Sequence, residues 1–465
     1  MSLSDALKLA KVQSLDQKIA YNISQSAYWS YQSYKAGFLP KLSLSGNLPD
    51  YYRSINPITL PDGQNQFIGQ NVSNASLYLN LTQNIPATGG TLSIGSSLLR
   101  IDNFGNFRNT NYTAVPITLN YNQQNLFYND FKWQRKIQPL KLKEEQRGYL
   151  ENMENISITT VNYYFTMLMA NIQLSLDQQN LKNIDTLVKI TKARFEIGTV
   201  QLNDVLQSEV SLLKAKRSLY NSTLGLSSAT QNLIRYLDLA KGDSLELILP
   251  DTLSFFDISK DLALAKAKQN RKFVIEFQRR RLEAEQNEHR TRAESSPVIN
   301  LRLNIGFTQT GNDLGKSYND LLRNQALTAS IYVPILDWGV NRSNKRRAEA
   351  NIQLENNNIA QQELLIEQEI DYQIGRWNTQ KAQMKIAVET KELSLKRYGI
   401  AKQKYALGTL SFTDFNNAQL DKDRAMTDYI SMLQNYWSLY FLIRRLTLYD
   451  FEKQKNIVIL QSTVN

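Results

Sequence analysis

A chain of 465 residues with no cysteine and one histidine excludes disulfide frameworks, thiolate metal centres, cysteine nucleophiles and paired-histidine sites. The formal net charge of +11 would suit nucleic acid, but the lysines and arginines interleave with glutamates, as in Arg279-Arg280-Arg281 beside Glu283 and Glu285. That pattern describes solvated helix faces, so no nucleic-acid partner is expected. No apolar run reaches the roughly 18–20 residues of a membrane-spanning helix, which excludes an inner-membrane helical protein but not a β-barrel, whose strands alternate.

In chain order, no secretory signal precedes the amphipathic Leu3-Ser4-Asp5-Ala6-Leu7, an expectation consistent with a leader removed upstream. Residues 3–38 read as one helix ending at Phe38-Leu39-Pro40. The period then changes to strict alternation at Leu42-Ser43-Leu44-Ser45-Gly46, the signal of a half-buried strand. A Pro-, Asn- and Gly-rich loop is expected from Pro49 to about Gln70. Alternation returns at Leu77–Leu81, Thr91–Gly95 and Val115–Tyr121, with Pro86-Ala87-Thr88-Gly89-Gly90 as the turn of a hairpin. Tyr51, Tyr52, Phe104, Phe107, Tyr112, Phe127 and Trp133 surround these strands. They suit either the core of a soluble sheet or the aromatic girdle of a membrane barrel.

After Pro139, apolar residues at three- and four-residue spacing (Ile158, Val161, Phe165, Leu168, Ile172, then Ile184, Val188, Phe195) predict a helix over about 140–197. Such a helix would be about 90 Å long, too long for any globular core to enclose. A returning helix carries Val205, Leu206, Leu212, Leu213, Leu219 and Leu226 to about Leu237. Leu239-Ala240-Lys241-Gly242-Asp243 breaks that helix, and a connector from Pro250 to Asp257 leads to another predicted helix, 258–294, where the lone histidine, His289, reads as solvated. Added end to end, the two shorter helices match the long one.

From Pro297 the plan repeats. Val298–Leu303 alternates, a loop spans Gly311–Lys316, a strand ends at Ile331-Tyr332-Val333-Pro334, and a proline-free helix runs from about Asn341 to Leu407. A last helix ends near Tyr449. The two long helices stop on matching phrases, Gly198-Thr199-Val200 and Gly408-Thr409-Leu410, 210 positions apart, with Asp204 and Asp414 six residues after each glycine. A glycine in the left-handed region stops a helix, and a polar residue then caps the next one, so each phrase reads as the tip of an antiparallel hairpin. The chain is thus expected to hold two internal structural repeats, residues 1–250 (strands about 41–122) and 251–465 (strands about 298–334), the first with an extra hairpin.

Strands in each half are too few to close alone, and long helices with lateral seams want neighbours. An oligomer that closes the strands into a barrel and the helices into a tube would be a conduit. Gly89-Gly90 lacks the lysine and helix of a phosphate loop, and no other constellation for catalysis is present, so an enzyme is not expected. A soluble coiled-coil scaffold or tether with a small sheet is the competing reading.

Over nearly its whole length the chain resembles the TolC-type outer-membrane efflux proteins. The resemblance rests on Leu39-Pro40-Lys41-Leu42-Ser43-Leu44-Ser45-Gly46, on Pro334-Ile335-Leu336-Asp337-Trp338-Gly339, and on both Gly-Thr tips with their following acids. It implies an α+β membrane protein. Three chains, each giving four strands, would form a trimeric 12-stranded outer-membrane β-barrel continued by a long periplasmic helical tunnel, an α-barrel. The implied function is the passive exit duct of a tripartite efflux or type I secretion system, without cofactor or active site. The implied partners are outer-membrane lipid, a periplasmic adaptor docking at Gly198, Thr199, Val200, Gly408, Thr409 and Leu410, and an inner-membrane pump. By the same resemblance Tyr405 and Asp204 help close the entrance, with Asp414 as the second-repeat counterpart; the two acids equally suit ordinary helix N-termini, where they complement the dipole. Leu410 stands where the family has a closing arginine, and Asn417 where it has a further acid, so neither an ionic latch nor an acidic ring carries over at those positions.

Overall fold

Two helix breaks that involve neither glycine nor proline set the plan of each half. The computed structural model describes residues 1–105, 108–240, 245–250 and 254–458. The expected helix over 3–38 is two helices, α1 (Leu3–Gln13) and α2 (Leu15–Ala36). Ser14 between them is extended, and its hydroxyl accepts the Gln17 N–H at 3.2 Å, so the second helix carries its own cap. Then come β1 (Lys41–Thr59), β2 (Asn65–Ile85), β3 (Gly90–Asn103) and β4 (Asn109–Gln123), followed by α3 (Asp130–Glu196) and α4 (Leu202–Tyr236).

The expected helix over 258–294 is likewise divided, into α5 (Lys260–Asn270) and α6 (Lys272–Glu294). At this break Arg271 is extended and its guanidinium holds both Glu151 oxygens at 3.2 and 3.0 Å. Glu151 also accepts the Lys272 N–H at 2.9 Å, a carboxylate at the positive end of α6. Strands β5 (Val298–Gly311) and β6 (Leu322–Tyr332), helices α7 (Val340–Ala406) and α8 (Phe412–Thr447), and a short ribbon of β7 (Tyr449–Asp450) and β8 (Lys455–Asn456) follow. The helix lengths of the two halves run in parallel: 11 and 11, 22 and 23, 67 and 67, 35 and 36 residues.

Two further expectations are corrected. Helix α3 starts ten residues before the expected Leu140 and contains Pro139. Asn129 starts it upstream of the proline, its side-chain oxygen accepting the Lys132 N–H at 3.3 Å. The loop expected over 49–70 is mostly strand, with β1 and β2 paired from Lys41↔Thr82 to Thr59↔Asn65. The prolines misled because β1 is an edge strand. Pro57 sits where an absent N–H costs nothing to the pair with β2, and Pro49 lies in the register shift between Asn47 and Asp50.

The described chain forms two compact units, and each draws on both halves of the sequence. One comprises Met1–Ser26, Lys143–Ile275 and Gln361–Asn465, and the other Ala27–Leu142 and Glu276–Ala360. The second unit holds one antiparallel meander, β1-β2-β3-β4-β5-β6. The resemblance implied four strands per chain; all six alternating stretches pair in this one sheet.

The helical unit has the main apolar core, with Tyr164, Phe165, Leu233, Ile370, Ile430 and Leu433 almost fully enclosed. Two polar side chains inside it, Tyr164 and Arg444, are paired. The Tyr164 hydroxyl donates to the Ile248 carbonyl at 2.5 Å, and burial pushes its pKa up to about 12. Arg444 donates to both oxygens of buried Glu154, at 2.9 and 3.0 Å, and to Asp450 at 2.6 Å. Burial disfavours the guanidinium charge, but Glu154 outweighs that and holds the Arg444 pKa up.

Candidate functional site

Two regions carry features that packing alone does not require: the sheet of one unit and the helix tips of the other. In the sheet, register sorts the side chains onto two chemically distinct faces. Leu42, Leu81, Ile94, Leu119 and Ile305 lie opposite one another across five strands. The adjacent row reads Lys41, Thr82, Ser93, Asn120, Asn304, Ala326. Because side chains alternate along a strand, these rows belong to opposite faces. The polar face bonds to itself: the Asn304 amide donates to Asn120 at 2.5 Å and to the Thr118 hydroxyl at 3.0 Å. The apolar face has no cover within the chain, and Leu42, Leu44, Leu79, Ile117, Leu327 and Ile331 are all exposed. An apolar band of this kind on the outside and a polar inside is the arrangement of a membrane barrel.

The strand-to-helix joins add a second apolar feature at one end of the sheet. Leu39 ends the approach to β1, Phe127 follows β4, and Ile335 and Trp338 follow β6, the last two 94% and 89% exposed. Trp338 and Gly339 both have positive φ (52° and 89°). Asp337 holds the turn by accepting the Gly339 and Asn341 N–H groups at 3.0 and 2.9 Å, and those bonds pull its carboxyl pKa down. Tyr51, Tyr52 and Phe104 are exposed as well, so they are not core residues of a soluble sheet. Phe107 lies outside the described residues. Trp133 packs its ring 5.5 Å from that of His289, which is exposed as the sequence suggested.

At the tips the backbone repeats closely. Gly198 has φ +76° and Gly408 φ +81°. The Gly198 N–H donates to Phe195 O and the Thr199 N–H to Arg194 O, both at 2.9 Å. Gly408 and Thr409 donate to Tyr405 O and Lys404 O, both at 3.0 Å. This is the six-to-one and five-to-two pattern of a Schellman stop. In both turns the threonine hydroxyl donates a second bond to the same carbonyl, at 2.9 and 3.1 Å. The next helices are capped differently. Asp204 accepts the Gln201 N–H at 3.1 Å, whereas the Ser411 hydroxyl accepts the Asp414 N–H at 3.1 Å and donates to the Asp414 carboxylate at 2.6 Å. Val200 and Leu410 are half-buried beside the turns.

Tyr405 is buried, packed against Phe412 and Phe415, with its hydroxyl 3.1 Å from that of Thr191. Within the chain Tyr405 and Asp204 are therefore not hydrogen-bond partners. Sequence reasoning missed Arg194, which joins the two hairpins. It donates to the Tyr405 and Ala406 carbonyls at 3.2 and 3.3 Å and lies 5.6 Å from the Tyr405 ring centre. Those carbonyls are the negative end of α7, where a cation is favoured. It also missed Ile197 and Leu407, one residue before each glycine and both exposed. Their signal was present: an apolar residue at a tip with no helical face to join.

Among the described residues there is no cluster of side chains able to hold a metal, and no helix is long and apolar enough to cross a membrane. The sequence model of the Outer membrane efflux protein family matches residues 61–238 and 263–439. No curated protein sequence matches the chain. The fold is similar to the outer membrane channel CmeC of Campylobacter jejuni, with 16% identity over 96% of this chain and 85% of that one and a TM-score of 0.68. It is also similar to the outer membrane protein VceC of Vibrio cholerae (14% identity, 96% and 95% covered, TM-score 0.65). The open state of the Neisseria gonorrhoeae channel MtrE gives 16% identity, 96% and 88% covered and a TM-score of 0.59. The competing reading, a soluble scaffold, finds no support in this match or in a sheet with an uncovered apolar face. The chain belongs to the outer membrane efflux protein family, and it is an outer-membrane channel rather than an enzyme.

Proposed function

We propose that the protein is the exit duct of a tripartite efflux or type I secretion system, working as a homotrimer. Three chains close their sheets into a barrel in outer-membrane lipid and their helices into a periplasmic tunnel. The observation that carries this reading is the sheet with one apolar and one polar face, joined in one chain to two matching helix tips. The parallel helix lengths support two repeats, 1–250 and 251–465. A periplasmic adaptor, itself coupled to an inner-membrane pump, docks on the tips through Gly198, Thr199 and Val200 and through Gly408, Thr409 and Leu410.

The gate is assigned to Asp204, Tyr405 and Asp414. Opening moves one hairpin relative to another, and Tyr405 holds the closed form through its hydroxyl while Asp204 offers acceptor capacity beyond its one backbone bond. A neutral hydrogen bond of this kind contributes about 0.5–1.5 kcal/mol, enough to bias a two-state entrance by up to about tenfold. The test is efflux in cells lacking the native gene. Replacing both tip glycines by valine should abolish export while the trimer still assembles; unimpaired export would refute docking at the tips.

A further inference from the structure

We infer that the barrel of the trimer has 18 strands, with β1 of each chain pairing with β6 of a neighbouring copy, and that the lumen is correspondingly wide. The inference rests on the exit-duct reading above and refines its pore. Three copies of a six-stranded sheet supply the count. None of the six can be set aside, because every neighbouring pair is registered over at least ten residues, long enough to cross the outer membrane.

The two edges fit each other. A meander of six strands leaves β1 and β6 running in opposite directions, so side by side they form an ordinary antiparallel pair. Both edges are exposed along their length, and an unpaired edge is not tolerated in lipid. Following the register from Lys41 through Thr82, Ser93, Asn120 and Asn304 leads to Ala326, six residues before the end of β6 at Tyr332. If strand ends share one level, Tyr332 of the neighbouring copy stands opposite Lys41. Each chain then adds a stagger of six residues over six strands. With about 3.4 Å per residue and about 4.8 Å between strands, that stagger is a tilt of about 35°, at the edge of the 35–45° range in which barrels close.

The chemistry of the faces supports the same register. It sets Leu42 opposite Ile331 and Leu44 opposite Ala329 on the apolar face, and Ser43 opposite Ser330 and Ser45 opposite Thr328 on the polar one. A slip of one residue would put every polar side chain of the joint into lipid. The pairing runs from Lys41 to Asn47, where the β1 register shift begins. Since diameter grows nearly linearly with strand number, the backbone wall is about 34 Å across, against about 23 Å for twelve strands, with about twice the cross-section. Restriction of cargo therefore falls to the helical tips and not to the barrel.

The chain has no cysteine, so introduced pairs cross-link without background. In the full-length protein purified in detergent, Leu42→Cys with Ile331→Cys, or Ser43→Cys with Ser330→Cys, should yield a covalent trimer on a non-reducing gel. Leu42→Cys with Leu327→Cys should not. End-on imaging of the unmodified trimer should count 18 strands, and this result stands even if a cysteine variant fails to fold. A trimer that conducts but shows twelve strands, with a hairpin outside the wall, overturns the inference and leaves the exit duct intact. A detergent-stable monomer without bilayer current overturns both.

Discussion

The two tips share a backbone and differ in everything around it. Positions 210 apart can be compared one by one. Tyr405 is 4% exposed, but its counterpart Phe195 is 42% exposed; Phe412 is 9% exposed, but Leu202 is 56%. The second tip is filled by its own aromatic residues and clamped by Arg194 from the first hairpin. The first tip has nothing within 4 Å of where a Cβ on Gly198 would sit, and Phe195, Ile197 and Leu202 beside it are exposed. The turn is the same at both tips and the packing around it is not. One tip is anchored within the chain, and the other leaves apolar side chains exposed.

The largest expected effect comes from removing the clamp. Arg194→Ala deletes two charge-assisted bonds to the end of α7 and should destabilise the second tip by about 1.5–3 kcal/mol, read as faster amide exchange over residues 404–410. The equivalent Lys404→Ala should change little, because Lys404 caps no carbonyl of the first hairpin. Equal effects would erase the asymmetry.

Next come the glycines taken singly. Both need positive φ, so a valine at either is strained by about 1–2 kcal/mol. At Gly408 the added carbon also meets the Arg194 guanidinium at 3.1 Å, so Gly408→Val should lower the thermal midpoint more than Gly198→Val. The reverse order would show that the first tip is the packed one in the assembled protein.

Smallest in stability, but not in function, is the open face of the first tip. Phe195→Ser with Leu202→Ser exposes less apolar surface and should leave the isolated chain within about 0.5 kcal/mol of wild type. Export should fall if that face meets a partner. Unchanged export would mean the surface is idle.

Much of this was legible in the sequence, and the exceptions have physical reasons. The six alternating stretches, the helix α7, the end of α3 and both glycine stops are where periodicity put them, because each pattern repeats over enough residues to outweigh local preference. The breaks at Ser14 and Arg271 were not legible, since one rests on a hydroxyl and the other on a carboxylate from α3. The strand character of 49–70 was hidden by prolines that an edge strand tolerates. Tyr405 could be singled out by the family resemblance, but not its Thr191 partner or the Arg194 clamp, which tertiary packing brings from 214 and 211 positions away.

The central claim is a gated channel through the outer membrane, and current through planar bilayers tests it most directly. Purified wild-type protein should insert and give small, discrete conductance steps. Tyr405→Phe combined with Asp204→Ala should give larger steps from a protein that still assembles as a trimer. No current from either protein, or a monomer that stays soluble without detergent, would contradict the account.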